Sequence, residues 1–267
     1  MSTNQIEAKE AEFHDSWASQ EDIDDISFQK AFQPFTAPEN SQILRWMGNL
    51  KGQKILELGA GLGEASLFFA SQGAKVTATD ISPGMLDVVR QRAQKVGVHV
   101  NLQVVSANGL TGIADNSFDM VYAANLLHHV NIEQCVQEAH RVLKPGGTAY
   151  FWDPLQYNPV INIYRRMATQ VRTSDEHPLR KIDIQSIRRQ FSEVELKHYW
   201  LSAMVVFLKF VIIDRHNPNK VRYWKKILSD YEDLKWLRFF HQIDQILFIL
   251  IPPIKWWAWN VTIRAKK

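Results

Sequence analysis

The feature that most constrains this chain is an alternation of short apolar runs with helical segments along residues 54–153, opened by a run, KILEL, that ends in glycines. KILELG predicts a strand stopped by a turn, and ASLFFASQ after it has helical spacing. KVTATD predicts a second strand. SPGMLDVVRQRAQKVG predicts a second helix, with Ser82 as N-cap, Pro83 at the first position and Gly97 beyond the end. VHVNLQVVSA supplies a third strand, SFDMVYAANLL a fourth, IEQCVQEAHRVL a helix beginning after Asn131, and GGTAYFWDP a fifth strand entered through the turn KPGG. Such an order folds as right-handed βαβ units, so the class expected is α/β, a doubly wound, mostly parallel sheet covered on both faces. Ligands of these sheets sit beyond the carboxyl ends of the strands. The places of interest are therefore after Leu58, after Asp80, around residues 106–108, after Asn125, and at Asp153.

The flanks differ from this core. Residues 1–50 read as helices and loops with the breakers Pro34 and Pro38, a helical cap whose FHDSW segment, with His14 and Asp15, predicts a lid over the ligand. Residues 51–155 form the ligand-binding core. From residue 156 to residue 267 the alternation breaks into a long basic and aromatic excursion, YNPVINIYRRMATQVRTSDEHPL, too long for a simple loop. VELKHYWLSAM predicts a sixth strand and WAWNVTIRAK a seventh, with a helical insertion from about residue 207 to residue 255 between them. These pieces complete the same domain.

Composition narrows the possibilities. Hydrophobic residues at 46% and charged residues at 22% exclude a disordered or fibrous chain, and 267 residues can enclose a substantial core. One cysteine, Cys135, allows neither an internal disulfide nor a cysteine zinc site. The acidic N-terminus lacks the apolar stretch of a secretory signal, which predicts a cytoplasmic location. Residues 1–155 carry 11 Lys and Arg against 18 Asp and Glu, whereas residues 156–267 carry 20 against 10 and six of the nine tryptophans. That asymmetry suggests different partners for the two halves. The segment FHQIDQILFILIPPIKWWAW is interrupted by Asp244, Pro252 and Pro253 and falls short of the roughly twenty apolar residues that span a bilayer. Its mixture of Lys and Arg with Trp, Phe and Leu is that of a helix lying in a membrane interface, so a peripheral membrane contact is expected beside the alternative of core packing.

ELGAGLG places Gly59, Gly61 and Gly63 where the backbone must turn tightly and approach a ligand. A dinucleotide site would prefer glycine where Glu64 stands. Glu57 and Glu64 put negative charge where a diphosphate would be repelled and an ammonium or sulfonium tolerated, so the ligand implied is cationic. Asp80, seventeen positions after Gly63, ends the second strand and can accept both hydroxyls of a ribose. DNSFDMVYAANLLHHV leaves residues 125–129 at the ligand edge.

Taken together, ILELGAGLG, TATDISPGML, DNSFDMVYAANLLHHV and EAHRVLKPGG resemble the class I S-adenosylmethionine-dependent methyltransferases, particularly the group related to the ubiquinone and menaquinone C-methyltransferases. The resemblance implies a seven-stranded sheet of the Rossmann-like methyltransferase fold and S-adenosylmethionine as cofactor. Glu57, Gly59, Ala60, Gly61 and Gly63 would lie at its methionyl and ribose part, Asp80 on the ribose hydroxyls, Ile81 and Met85 beside the adenine, and Asn125 beneath the methionyl group. Two departures stand out: Ala60 replaces a frequent Cys, and SANG replaces a turn in which many members have an Asp on the adenine amino group. Ser106, Ala107 and Asn108 remain to contact adenine through backbone groups and the Asn amide.

Methyl transfer from a sulfonium needs alignment more than covalent help, and a base only if the acceptor loses a proton. The candidates are His128, His129, Asp153 and Tyr164 for catalysis, with Tyr157, Arg165, Arg166 and His177 for acceptor binding. Arg165, Arg166, Arg172 and Arg180 suggest an anionic acceptor, small or lipid-like. No metal is expected, because neither cysteine count nor histidine spacing offers a site. Two competing readings are a catalytically inactive binding or regulatory protein on the same fold and a nucleic-acid methyltransferase. AANLL in place of an NPPY- or DPPY-type motif argues against the latter. Nothing in the sequence indicates an oligomeric state.

Overall fold

The computed structural model describes residues 3–24, 26–168, 176–217, 219, 223, 226–227 and 234–267. Seven strands form one sheet: β1 (Lys54–Leu58), β2 (Lys75–Asp80), β3 (Val100–Val104), β4 (Phe118–Ala124), β5 (Leu143–Pro154), β6 (Glu193–Tyr199) and β7 (Asn260–Lys266). Their order is β3-β2-β1-β4-β5-β7-β6, with β7 antiparallel to both neighbours and every other pairing parallel. The order reverses at β1, whose chain leaves upward between β2 and β4, and that switch point opens the ligand crevice.

Period-two alternation sends each strand's residues to two different helical layers. Leu56, Leu58, Val121, Ala123 and Phe151 pack with Cys135, Val136 and Ala139 of α5 (Ile132–Val142) and Ile184 and Ile187 of α7 (Lys181–Gln190). Ile55, Val76, Tyr122 and Tyr150 face the other way, onto Ile43 and Met47 of α2 (Pro38–Met47) and Ala65 and Phe69 of α3 (Glu64–Ser71). The α4 helix (Pro83–Val96) is capped as its sequence predicts: the Met85 N–H donates to Ser82 Oγ at 3.0 Å, and Gly97 closes the helix in the left-handed region.

The first fifty residues divide in two. While α2 belongs to the layer just described, α1 (Thr3–Ala18) lies across α4 at the ligand edge. Asp15 fastens it, accepting from Ser82 Oγ at 2.5 Å and from the Gly84 N–H at 2.9 Å, a carboxylate at the positive end of α4. A Cβ at Gly84 would sit 2.8 Å from Asp15 Oδ1, so a side chain there would displace the carboxylate that fastens α1.

The excursion after β5 forms α6 (Pro159–Met167), and the insertion between β6 and β7 contains α8 (Val205–Ile212) and α9 (Leu234–Leu250). Arg172 and Trp224 lie outside the described residues. The apolar helix α9 carries a fully buried Asp244, whose carboxylate accepts the N–H groups of Leu201 (2.9 Å) and Ser202 (2.7 Å), pinning the helix to the end of β6. A separate core of Ile161, Tyr164, Trp200, Phe207, Tyr223 and Leu237 joins α6, α8 and α9.

Candidate active site

A cavity of about 430 Å³ opens over the carboxyl ends of β1, β2, β4 and β5 and is roofed by α1 and α6. Gly59, Ala60 and Gly61 line its floor. Gly61 has φ +51°, and a Cβ there would meet nothing within 4 Å, because that face of the turn looks into the cavity. Gly63 stands behind the turn as the left-handed N-cap of α3, outside the lining.

Asp80 is fixed before any ligand arrives. Its Oδ2 accepts the Gly61 N–H at 2.9 Å and its Oδ1 the Ser82 N–H at 2.9 Å, and each oxygen keeps a further lone pair for a hydroxyl. Burial raises its pKa, opposed by those two N–H bonds. Glu57 is buried, takes a hydrogen bond from Ser66 Oγ, and is pushed up to about 8 by burial. The negative charge that the sequence places at Glu57 is therefore held as a neutral acid near pH 7 until a cation adjoins it.

Ile81, Ser106, Ala107 and Asn125 also line the cavity, the last with a left-handed backbone at φ 52°. Met85 is fully buried beneath Ala18 and Leu62, outside the lining. Asn108 is occupied elsewhere: its amide donates to Glu7 Oε1 at 2.7 Å and accepts the Asn131 N–H at 3.0 Å. Ser106 Oγ donates to the same Glu7 oxygen at 2.7 Å. A carboxylate thus reaches the turn after β3, delivered by α1 rather than by the strand.

His128, His129 and Tyr164 line the cavity, whereas Asp153 lies fully buried behind His128. Asp153 Oδ1 is 2.6 Å from His128 Nδ1, and its carboxylate accepts the Leu127 and His128 N–H groups at 3.2 Å each. This orients the imidazole with Nε2 away from the carboxylate. Burial raises the pKa of Asp153. His129 Nδ1 lies 3.6 Å from Glu10 Oε2, which in turn lies 3.6 Å from His14 Nε2. Donor atoms of His128, His129 and Glu176 fall within 4.8 Å of one another, a grouping that histidine spacing in sequence does not reveal.

Of the residues expected to bind an acceptor, Arg165 lines the cavity. Arg166 is exposed on α6, Tyr157 accepts the Lys181 N–H at 3.1 Å, the His177 N–H donates to the His128 carbonyl at 2.7 Å, and Arg180 pairs with Asp183. None of these four is among the lining residues. The sequence-level reading passed over Glu39 and Asn260, which line the cavity and are joined at 2.6 Å.

Residues 56–151 match a family model described as a methyltransferase domain. Demethylmenaquinone methyltransferase from Tropheryma whipplei is 38% identical over 104 residues, which cover 39% of this chain and 42% of that protein. A ubiquinone/menaquinone biosynthesis C-methyltransferase from Haemophilus ducreyi is 34% identical over 125 residues, 44% of this chain and 48% of its own length. The chain thus matches less than half the length of these curated relatives. Among solved structures, phosphoethanolamine N-methyltransferase 2 from Haemonchus contortus superposes with a TM-score of 0.56 at 18% identity, over 86% of this chain and 52% of that one. The [4+2]-cyclase SpnF does so at 0.53 and 20% identity, over 85% and 80%. At these identities the likeness is one of fold alone.

Proposed function

We propose that the chain is an S-adenosylmethionine-dependent methyltransferase acting on a small or amphipathic acceptor, supported by the match of residues 56–151 to a methyltransferase-domain model and by the likeness to quinone methyltransferases over part of their length. The observation that carries this reading is the Gly61–Asp80 pair: an open glycine turn bonded to a carboxylate that still has acceptor capacity, at the mouth of a cavity. When bound, the cofactor supplies a methyl group on a cationic sulfur. Asp80 would hold its ribose hydroxyls, Gly59–Gly61 would face its methionyl part, and Glu57 would regain its charge beside the ammonium. Ile81, Ser106 and Ala107 would border the adenine.

His128, held by Asp153, can receive a proton at Nε2 from an acceptor lying against β4, in a space roofed by α1 and α6. We read transfer as metal-free, with the His128, His129 and Glu176 group handling protons. The anionic acceptor suggested by the arginines has Arg165 alone of that group to meet it among the described lining residues.

The acceptor's apolar part has a surface to match. Ile212, Ile246, Ile249, Leu250 and Trp257 are exposed on the insertion, Ile249 at 77% and Trp257 at 56%, and the same stretch of chain carries Lys235, Arg238 and Lys255. No helix of the described residues is long and apolar enough to cross a membrane. We read this face as resting on an anionic lipid interface, from which an amphipathic acceptor reaches the cavity past Tyr164 and Trp259.

The test is turnover of S-adenosylmethionine to S-adenosylhomocysteine with a membrane extract as acceptor source, together with calorimetry of cofactor binding. Asp80→Ala should weaken binding by about 1–3 kcal/mol through a lost charged hydrogen bond. Binding without turnover in any extract would favour a regulatory protein on this fold, and unchanged affinity in Asp80→Ala would remove the ribose assignment.

A further inference from the structure

In the cavity wall, β7 and the start of α2 supply hydrogen-bond acceptors that the methyltransferase reading does not use. Glu39 stands in the first turn of α2, buried, with Oε1 taking the Asn260 Nδ2–H at 2.6 Å. Asn260 begins β7 opposite Pro154 at the carboxyl end of β5, the side where an acceptor would lie. Its amide orientation, set by the bond to Glu39, leaves Oδ1 buried with no hydrogen-bond partner among the described residues, and Thr36 Oγ1 is in the same condition. Asn260 is 4% exposed and Thr36 7%, and both line the cavity.

Two unpartnered oxygens and a carboxylate along one cavity wall call for a ligand rich in N–H donors. The wall around them is aromatic. Tyr164, Trp200 and Trp259 line the same cavity, with Trp200 and Trp259 in edge contact at 6.1 Å between ring centroids. The faces of such rings favour an organic cation over a carboxylate. The cations of the wall agree: the described lining residues include one arginine, Arg165, and no lysine to attract a carboxylate.

We propose that Glu39, Asn260 and Thr36 form a subsite for a protonated amine, so that the acceptor is an amine and its nitrogen is the atom held for methylation. The proposal rests on the methyltransferase reading and deepens it by naming the acceptor class. An ammonium entering this subsite donates to Glu39, Asn260 Oδ1 and Thr36 Oγ1 and stacks its substituent among the aromatic rings. Before the nitrogen can act as a nucleophile it must lose a proton. That first proton passes from R–NH₃⁺ to the Glu39 carboxylate, leaving R–NH₂ with a free lone pair and Glu39 as the neutral acid; methylation makes the nitrogen an ammonium again, and its proton is the one His128 takes. Burial pushes the Glu39 carboxyl up to about 7, against the lowering effect of the Asn260 and Trp200 hydrogen bonds, which suits it to hold that proton near neutrality.

The experiment is calorimetric titration of the full chain, saturated with S-adenosylhomocysteine, with three probes of similar shape: 2-phenylethylamine, 2-phenylethanol and 3-phenylpropionate. The amine should bind about tenfold or more tighter than the alcohol and the carboxylate, as expected for a charge-assisted hydrogen bond. Glu39→Gln should erase that preference while leaving S-adenosylhomocysteine affinity within about twofold, a difference under 0.5 kcal/mol. Asn260→Ala, which removes the orphaned oxygen and spares the carboxylate, should reduce the preference and serves if Glu39→Gln does not fold. Equal binding of all three probes, tighter binding of the alcohol or carboxylate, or a preference that survives both variants would overturn the amine subsite. Failure of the wild-type chain to bind S-adenosylhomocysteine would instead sink the methyltransferase reading.

Discussion

Glu7 Oε1 lies 2.7 Å from Ser106 Oγ, a contact across 99 positions that carries a carboxylate from α1 to the end of β3. In many members of the family that the core resembles, that turn carries an Asp, which the resemblance implies on the adenine amino group. Here the turn keeps a hydroxyl and the acid comes from α1. We expect Glu7→Ala to weaken S-adenosylhomocysteine binding by about 1–2 kcal/mol. Calorimetry with S-inosylhomocysteine, whose base lacks the amino group, isolates the contact. The wild-type chain should prefer the adenosyl ligand and the variant should not. Equal affinity of the wild-type chain for both ligands would reduce Glu7 to a fastening for α1.

His128 should depend on Asp153 for its orientation rather than for its presence in the cavity. Asp153→Asn leaves a group of similar size but disturbs the acceptor pair that holds the imidazole and the two backbone N–H groups. Turnover should fall by about ten- to a hundredfold, within the range typical of acid–base groups, while cofactor affinity stays nearly constant. EDTA should leave wild-type turnover unchanged. Loss on chelation with recovery on adding a divalent ion would make His128, His129 and Glu176 a metal site instead.

Stability should decline as pH rises through neutrality. Glu57, raised to about 8, and Glu39, raised to about 7, keep their protons in the folded chain at pH values where the unfolded carboxyls, near 4.5, have released theirs. The folded state then binds more protons than the unfolded one, so unfolding becomes easier with each increment of pH between about 4.5 and 8. Melting curves of the ligand-free chain across this window should show a falling midpoint. Glu57→Gln should flatten the upper part of the slope. A midpoint that rises over the window would contradict the burial of these acids in neutral form.

The exposed face of the insertion should bind vesicles of phosphatidylglycerol and phosphatidylcholine more strongly than vesicles of phosphatidylcholine alone, through Lys235, Arg238 and Lys255. Replacing Ile249 and Leu250 together by Asp should abolish pelleting without lowering the melting midpoint, since both side chains are exposed. An absence of pelleting with either vesicle, or a concentration-dependent dimer that the same variant dissociates, would assign this face to packing between copies of the chain.

What the sequence determined by itself was local. The strands from Lys54 to Pro154, the Ser82 cap and the Gly61 turn are legible because each depends on periodicity, capping or backbone freedom within a few neighbouring residues. Asp80 was legible because strand, turn and helix fix its distance from the glycines. The tertiary structure decided what depends on burial and on contacts between remote segments. Glu39 meets Asn260 across 221 positions, Glu7 meets Ser106 across 99, and Asp153 holds His128 from beneath. No window of sequence holds both members of these pairs. The arginines show the same limit from the other side: their clustering suggested an anionic acceptor, yet a helix has several faces, and α6 turns Arg165 toward the cavity and leaves Arg166 exposed. Which charge faces a ligand is set by the packing of the helix, and packing is decided only when the remote elements close around the sheet.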